Sequence, residues 1–390
     1  MALDIISLKK EFIRIYKGNA EEIHLFFAPG RVNLIGEHTD YNGGLVLPFA
    51  LQFGTYLAVR KTKNKTLKFK SINFPYSAEI LLKDEIKPLG REWVNYPLGV
   101  ISQLEKMKPL NAGLEMLFFG DIPNEAGLSS SASIEMVMAF ALNELFDLKL
   151  SRIDLIKMSQ KAENEFVGMN CGIMDQFAVG IGKKDRAVFL NCDSLDYELV
   201  LFDLKDYVII ITNTNKKRGL ADSKYNERRQ ECESALLVLK RELSISHLSD
   251  LSVEQFENKK NLIKDKIIQK RTQHVVYENF RVRKAIRALS ENNLTGFGKL
   301  MISSHNSLRD DYEVSCIELD ILVEEALNVP GVLGSRMTGA GFGGCSISLL
   351  PKEQVEMFKV HVGKKYFEST NRTADFYEAE TGLGIRKIDI

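Results

Sequence analysis

The chain has 390 residues, more than one hydrophobic core usually serves, so two domains are expected. Lys plus Arg equals Asp plus Glu at 52 each, which leaves no electrostatic footprint for wrapping nucleic acid or an anionic membrane. Hydrophobic residues at 45% and charged residues at 27% are the balance of a globular chain, not of a disordered one.

The start, MALDIISLKKEF, carries Asp4 and no apolar h-region, which predicts no signal peptide. Apolar side chains at helical spacing predict a helix over 3–17. Residues 25–35 and 45–59 read as strands joined through the turn signal Asn42-Gly43-Gly44. A further β-like run covers 115–119. Residues 120–133 are small and turn-forming, and they lead into a strongly apolar helix over 134–146. Ser151 with Asp154 opens the next helix as a weak version of a capping box. Short apolar strands follow at 187–191 and 208–212.

The second half has long charged helices near 223–242, 276–291 and 317–326. After them come a Gly-rich turn at 339–344, a strand over 345–350 and a helix that starts near Pro351. The composition shifts around 195–205, which divides the chain into 1–200 and 201–390. Strands and helices mix without a βαβ rhythm, so the class is α+β. The longest apolar runs, such as 208–211 and 136–142, are too short to span a bilayer. The five cysteines are widely spaced and form no CxxC pair, so no zinc site or disulfide framework is expected, and a reducing cytoplasm fits.

Three segments carry chemistry. PNEAGLSSSAS (123–133) is small and polar and ends where an apolar helix begins. The free N–H groups and positive end of that helix would make the turn an anion cradle, and its serines add hydroxyls. The same segment reads equally well as a helix cap in a loop. MTGAGFGGC (337–345) matches GxGxxG at Gly339, Gly341 and Gly344. It leads into a strand rather than a helix, so the dinucleotide context fails and a tight turn is the plainer reading. APGRVNLIGEHTDYNGG (28–44) packs Arg31, Glu37, His38 and Asp40 around a strand and turn. Its carboxylates and imidazole could hold the hydroxyls of a pyranose, and its guanidinium suits phosphate, though an exposed charged turn would read similarly.

Together these segments resemble the GHMP small-molecule kinase family, and GRVNLIGEHTDYNGG resembles the galactokinase signature within it. The resemblance runs from about Phe27 to Gly384. It implies a two-domain fold of mixed and antiparallel sheets with helices, the active site lying in the cleft between domains. It implies transfer of the γ-phosphoryl group of ATP to the anomeric hydroxyl of galactose, with Mg²⁺ as cofactor and a monomer as the acting unit. Glu37, His38, Thr39 and Asp40 would hold the sugar, with Gly172 against it and Tyr225 touching it. Arg31 would stabilise the transition state. Glu125, Ala126, Gly127, Leu128, Ser129, Ser130 and Ser131 would wrap the ATP phosphates, and Trp93 would line the adenine pocket. Ser131 and Glu163 would hold the metal, and Asp175, in NCGIMDQ, would be the base. The sequence departs from the family at Glu125 and at Ala340, where glycine is common; Ala340 demands a negative φ or a small strain.

Phosphoryl transfer needs alignment and charge neutralisation more than covalent chemistry. His38 is a rival base, since imidazole titrates near neutrality. No GxxxxGK[ST] occurs, because Phe177 stands at the first glycine position before Gly182-Lys183, and no HRD or DFG triplet is present. Kinases for N-acetylgalactosamine, arabinose or galacturonate share parts of the signature. A non-catalytic sugar sensor would commonly lose serines from the loop, which is complete here.

Overall fold

The computed structural model describes residues 5–82, 85–123, 126–216 and 221–389. Its strands, in chain order, are β1 (His24–Asn33), β2 (Leu45–Val46), β3 (Pro48–Thr62), β4 (Thr66–Ser71), β5 (Ala78–Leu81), β6 (Gly113–Gly120), β7 (Arg186–Asn191), β8 (Tyr197–Leu201), β9 (Tyr207–Asn213), β10 (Gly334–Thr338), β11 (Cys345–Pro351), β12 (Asp375–Glu378) and β13 (Arg386–Ile388). They form a six-stranded sheet in the order β13-β1-β3-β6-β4-β5, a four-stranded sheet β10-β11-β9-β12 and a small sheet β2-β7-β8. Only the β4–β6 pairing is parallel among those described. The mixed and antiparallel sheets expected from the sequence are therefore present.

The six-stranded sheet is covered on both faces, and its alternation shows how. Phe26, Ala28, Leu57 and Val59 point into a core shared with the helices Asn95–Met107, Ser130–Leu145, Arg152–Ala162 and Met174–Ile181. Leu25 and Ala58, one residue out of phase, meet Leu8 and Phe12 of the helix Ile5–Tyr16. Helix Ser130–Leu145 is buried nearly all round, which explains its unbroken apolar run. In the four-stranded sheet, Ile209, Ile211, Ile347 and Leu349 join Val32, Leu34 and Phe49 in one core. Val208, Ile210 and Leu350 face the helices Ile317–Leu327 and Val355–Thr370. The second core thus takes side chains from both halves of the chain, and β13 returns from the C-terminal end to pair with β1.

Most predicted elements stand within a few residues of their expected bounds. The helix expected at 276–291 starts ten residues earlier, as Lys266–Ser290, capped by Asp265 on the N–H groups of Ile267 and Ile268. Ser151 and Asp154 make both bonds of a capping box. That helix continues as a π-helical turn, Glu163–Val167, which sets Glu163 at the point where the winding changes. No described helix is long and apolar enough to cross a membrane.

Candidate active site

Strand β1 delivers the first functional side chain through a defect in its pairing. The β1–β3 register shifts between Pro29 and Arg31, and this bulge re-aims Arg31. Gly30 fills the bulge because a Cβ there would sit 2.8 Å from the Leu128 carbonyl oxygen. The same carbonyl accepts the Arg31 N–H at 3.1 Å, so the strand and the serine-rich loop are joined at this point. The Arg31 guanidinium is nearly buried, with its Nε donating to Asp175 Oδ1 at 2.7 Å and its Nη2 to Asp175 Oδ2 at 2.8 Å. Its Nη1 donates to the Gly127 carbonyl at 2.8 Å. Asp175 lies in the first turn of helix Met174–Ile181 and keeps a solvent-facing edge.

A cavity of about 230 Å³ opens over this pair. Arg31, Glu37, His38, Asp40, Gly127, Ser129, Ser130, Ser131, Glu163, Gly172, Asp175 and Tyr225 all line it, joined by Gly339 and Ala340 of the glycine-rich turn. A second cavity, about 190 Å³, lies beyond Ser130 and Ser131, which line both. Trp93 belongs to the second cavity, its edge against Phe118 and its indole N–H donating to the Tyr76 carbonyl.

Several side chains sit where the sequence reading did not put them. Thr39 does not line the cavity: its buried hydroxyl lies 2.8 Å from the carbonyls of Gly36 and Leu45 and stitches the turn. Ala126 and Leu128 turn their side chains into the core. Glu125 falls outside the described residues. Gly172 faces Asp40 closely, since a Cβ on it would lie within 2.0 Å of the Asp40 carboxylate. Burial, with the Asp175 charge second, pushes the Asp40 carboxyl up to about 7. In the glycine-rich turn the positive φ falls on Phe342 at 58°, alongside Gly339, Gly341, Gly343 and Gly344, and not on Ala340.

His38 has both ring nitrogens engaged. The Ala340 carbonyl can only accept, so Nε2 is the donor at 3.2 Å, and Nδ1 therefore accepts from the Tyr41 hydroxyl at 2.8 Å. Tyr41 in turn meets the Tyr312 hydroxyl at 2.8 Å. Burial, then the neighbouring His274, drives the imidazole down to about 3. A neutral ring with no open acceptor does not suit the rival-base role. His38 offers the cavity its ring, which also packs against Tyr225.

Glu37 is fixed from the other half of the chain. Its carboxylate takes Arg336 Nη2 at 2.5 Å, Asn33 Nδ2 at 2.8 Å and the Gly339 N–H at 3.0 Å. Glu278 holds the neighbouring Gly36 N–H, and His274 Nε2 donates to the Glu37 carbonyl. The turn bearing the signature is thus clamped by side chains 237 to 299 positions away in sequence.

Family models match three stretches: the galactokinase galactose-binding signature at 10–61, the N-terminal GHMP kinase domain at 95–183 and the C-terminal GHMP kinase domain at 285–368. The chain is 51% identical to the galactokinase of Clostridium tetani, over 99% of this chain and 98% of that one. It is 52% identical to the galactokinase of Fusobacterium nucleatum, over 98% and 99% respectively. The solved structure of the Lactococcus lactis galactokinase complexed with galactose superposes with a TM-score of 0.96 at 44% identity, covering 98% of this chain and all of that one. The chain belongs to the galactokinase family. Its fold is the two-domain GHMP kinase fold, and its activity class is that of an ATP-dependent sugar kinase.

Galactokinase-family chemistry implies a divalent cation, and the residues present suit one. Glu135, Glu163 and Asp175 influence one another electrostatically, while Arg31 is the sole Lys or Arg among the described residues lining the cavity. Burial first, and the Asp175 charge second, push Glu163 up to about 6. Glu135 is fully buried behind it, with Oε1 unpartnered. Oxygen donors from one carboxylate and one serine hydroxyl are a hard-cation set that leaves room for phosphate oxygens and water. The described residues hold no group of three or more His, Cys, Asp or Glu side chains of the kind that would cage a metal unaided.

Sequence reasoning missed the residues that support the site. Gln176 Nε2 donates to Glu163 Oε2 at 2.6 Å and to Glu135 Oε2 at 3.1 Å, fixing the carboxylates relative to each other. Its adjacency to Asp175 was the available signal. Arg336 and Glu278 gave none, because nothing local marks a partner so far along the chain.

Proposed function

We propose that this chain transfers the γ-phosphoryl group of ATP to the anomeric hydroxyl of D-galactose, giving α-D-galactose 1-phosphate and ADP. One observation carries the reading: a single cavity joins the signature turn, the Asp175–Arg31 pair and the start of helix Ser130–Leu145. Galactose would lie against Glu37, Asp40 and Tyr225. The triphosphate would lie along Gly127 to Ser131, and adenine in the neighbouring cavity with Trp93.

Asp175 takes the proton of the anomeric hydroxyl as its oxygen attacks the γ-phosphorus, and ADP leaves on the opposite side. A carboxylate offers about four lone-pair positions. Arg31 Nε occupies one on Oδ1, and Arg31 Nη2 and Ser129 Oγ occupy Oδ2, which leaves the open position on Oδ1. Arg31 supplies fixed positive charge beside the reacting groups. Ser131 and Glu163 would hold Mg²⁺, which when bound neutralises phosphate charge. A monomer is the acting unit in this reading. The five free cysteines and the need for ATP agree with a cytoplasmic setting. Dividing the chain at 1–200 and 201–390 belongs to the same reading.

ADP release with Mg·ATP and a panel of galactose, N-acetylgalactosamine, arabinose and galacturonate tests the proposal. Galactose should give the highest kcat/KM. A clear preference for another sugar would reassign the substrate, and no turnover with any would point to a sensor.

A further inference from the structure

Ser129 stands at the N-cap of helix Ser130–Leu145 but does not cap it. A capping serine adopts an extended backbone and accepts an N–H two or three residues ahead. Ser129 instead has φ 63° and ψ 48°, the left-handed conformation that costs energy for any residue with a Cβ. Glycine would take this conformation freely, so the serine side chain must do something there. Its hydroxyl is turned away from the helix and donates to Asp175 Oδ2 at 2.5 Å.

Two consequences follow from that turn. The first-turn N–H groups of the helix lose their usual side-chain acceptor and remain available to an anion. Asp175, meanwhile, is held by Arg31 on both oxygens and by Ser129 on Oδ2 alone. The serine thereby decides which oxygen is left with an open lone pair. The loop and the base form one unit, because Gly127 and Leu128 also accept hydrogen bonds from Arg31.

We propose that Ser129 is a positioning residue for Asp175, using a strained backbone to aim its hydroxyl at the carboxylate rather than at the helix or at phosphate. This rests on the reading of Asp175 as the proton acceptor. It differs from the family-derived expectation, in which Ser129 is one more phosphate-wrapping serine.

The test compares S129G, S129A, D175N and S129G/D175N in the full chain by steady-state kinetics and thermal unfolding. S129G relieves the backbone and removes the hydroxyl, so its Tm should equal or exceed that of the parent. Its kcat should fall by about 10- to 100-fold, with KM for ATP and galactose changed by less than about three-fold. S129A keeps the strain and should show a similar kcat loss with no gain in Tm. On the D175N background, S129G should cost little more, since the group it positions is gone. Three outcomes would overturn the proposal: parental kcat in S129G, a loss expressed mainly in KM for ATP, or an undiminished S129G effect on the D175N background. Near-parental kcat in D175N would instead remove the base assignment itself, a result separate from any of these.

Discussion

At the scale of single residues the site is a set of charges in competition. Asp175 faces Arg31 through two hydrogen bonds, while Asp40 and Glu163 lie close enough to feel its charge. If Asp175 accepts the sugar proton, D175N should lower kcat by about 10²–10⁴-fold while ATP binding, measured by calorimetry, persists. Asp40 gives a prediction about pH. Its folded carboxyl is raised to about 7, by burial first and by Asp175 second. A raised carboxyl favours the fold fully below its unfolded value near 4, and that contribution is lost as pH rises through 7. D40N cannot ionise, so its Tm relative to the parent should become more favourable between pH 4.5 and 8. A flat difference across that range would show that Asp40 ionises without cost. The signature residues were legible in the sequence because they are contiguous. The use of each was not: Thr39 and His38 turn polar atoms to local partners, Gly36, Leu45 and Tyr41, that no residue pattern marks, and His38 also reaches the Ala340 carbonyl, which only the fold brings near.

At the scale of elements, long apolar runs and end signals were readable, and short or half-exposed elements were not. The helix Ser130–Leu145 and the capping box at Ser151 announce themselves through composition and spacing. Strand β4 alternates Leu67 and Phe69 with lysines but is only 6 residues long, and β5 has 4 residues with none buried, so both are too short to stand out. Helix Met174–Ile181 spans only 8 residues, too few for a periodic signal, yet it carries Asp175. The bulge in β1 was equally silent, although it aims Arg31. G30A probes it: the added Cβ meets a backbone carbonyl that cannot yield without moving the serine loop. We expect a loss of about 1–3 kcal/mol in chemical denaturation. The fall in kcat should exceed that in a core variant of equal stability, because Arg31 and Leu128 move together. Equal falls in the two variants would mean that the bulge serves the fold alone.

At the scale of the whole molecule, the signature turn belongs to the first half of the sequence but is held by the second. Arg336 on β10 is fully buried against Glu37, and it also donates to the carbonyls of Asn33 and Leu34. Such a pair recovers little net free energy relative to an apolar substitute, because both charges were taken out of water. Removing one partner is different, since the other charge then stays buried alone. R336M should therefore cost about 3–5 kcal/mol in denaturant unfolding. E37Q loses the charge on the other side and leaves Arg336 stranded, so it should also be costly. The double variant R336M/E37Q strands neither charge and should be more stable than the sum of the two single losses, by more than about 1 kcal/mol. Activity separates packing from position. Glu37 lines the cavity, so the double variant should regain stability without regaining a normal KM for galactose, while KM for ATP stays near the parental value. If stability and galactose affinity returned together, the ion pair would be a fastening between the halves with no part in shaping the sugar site.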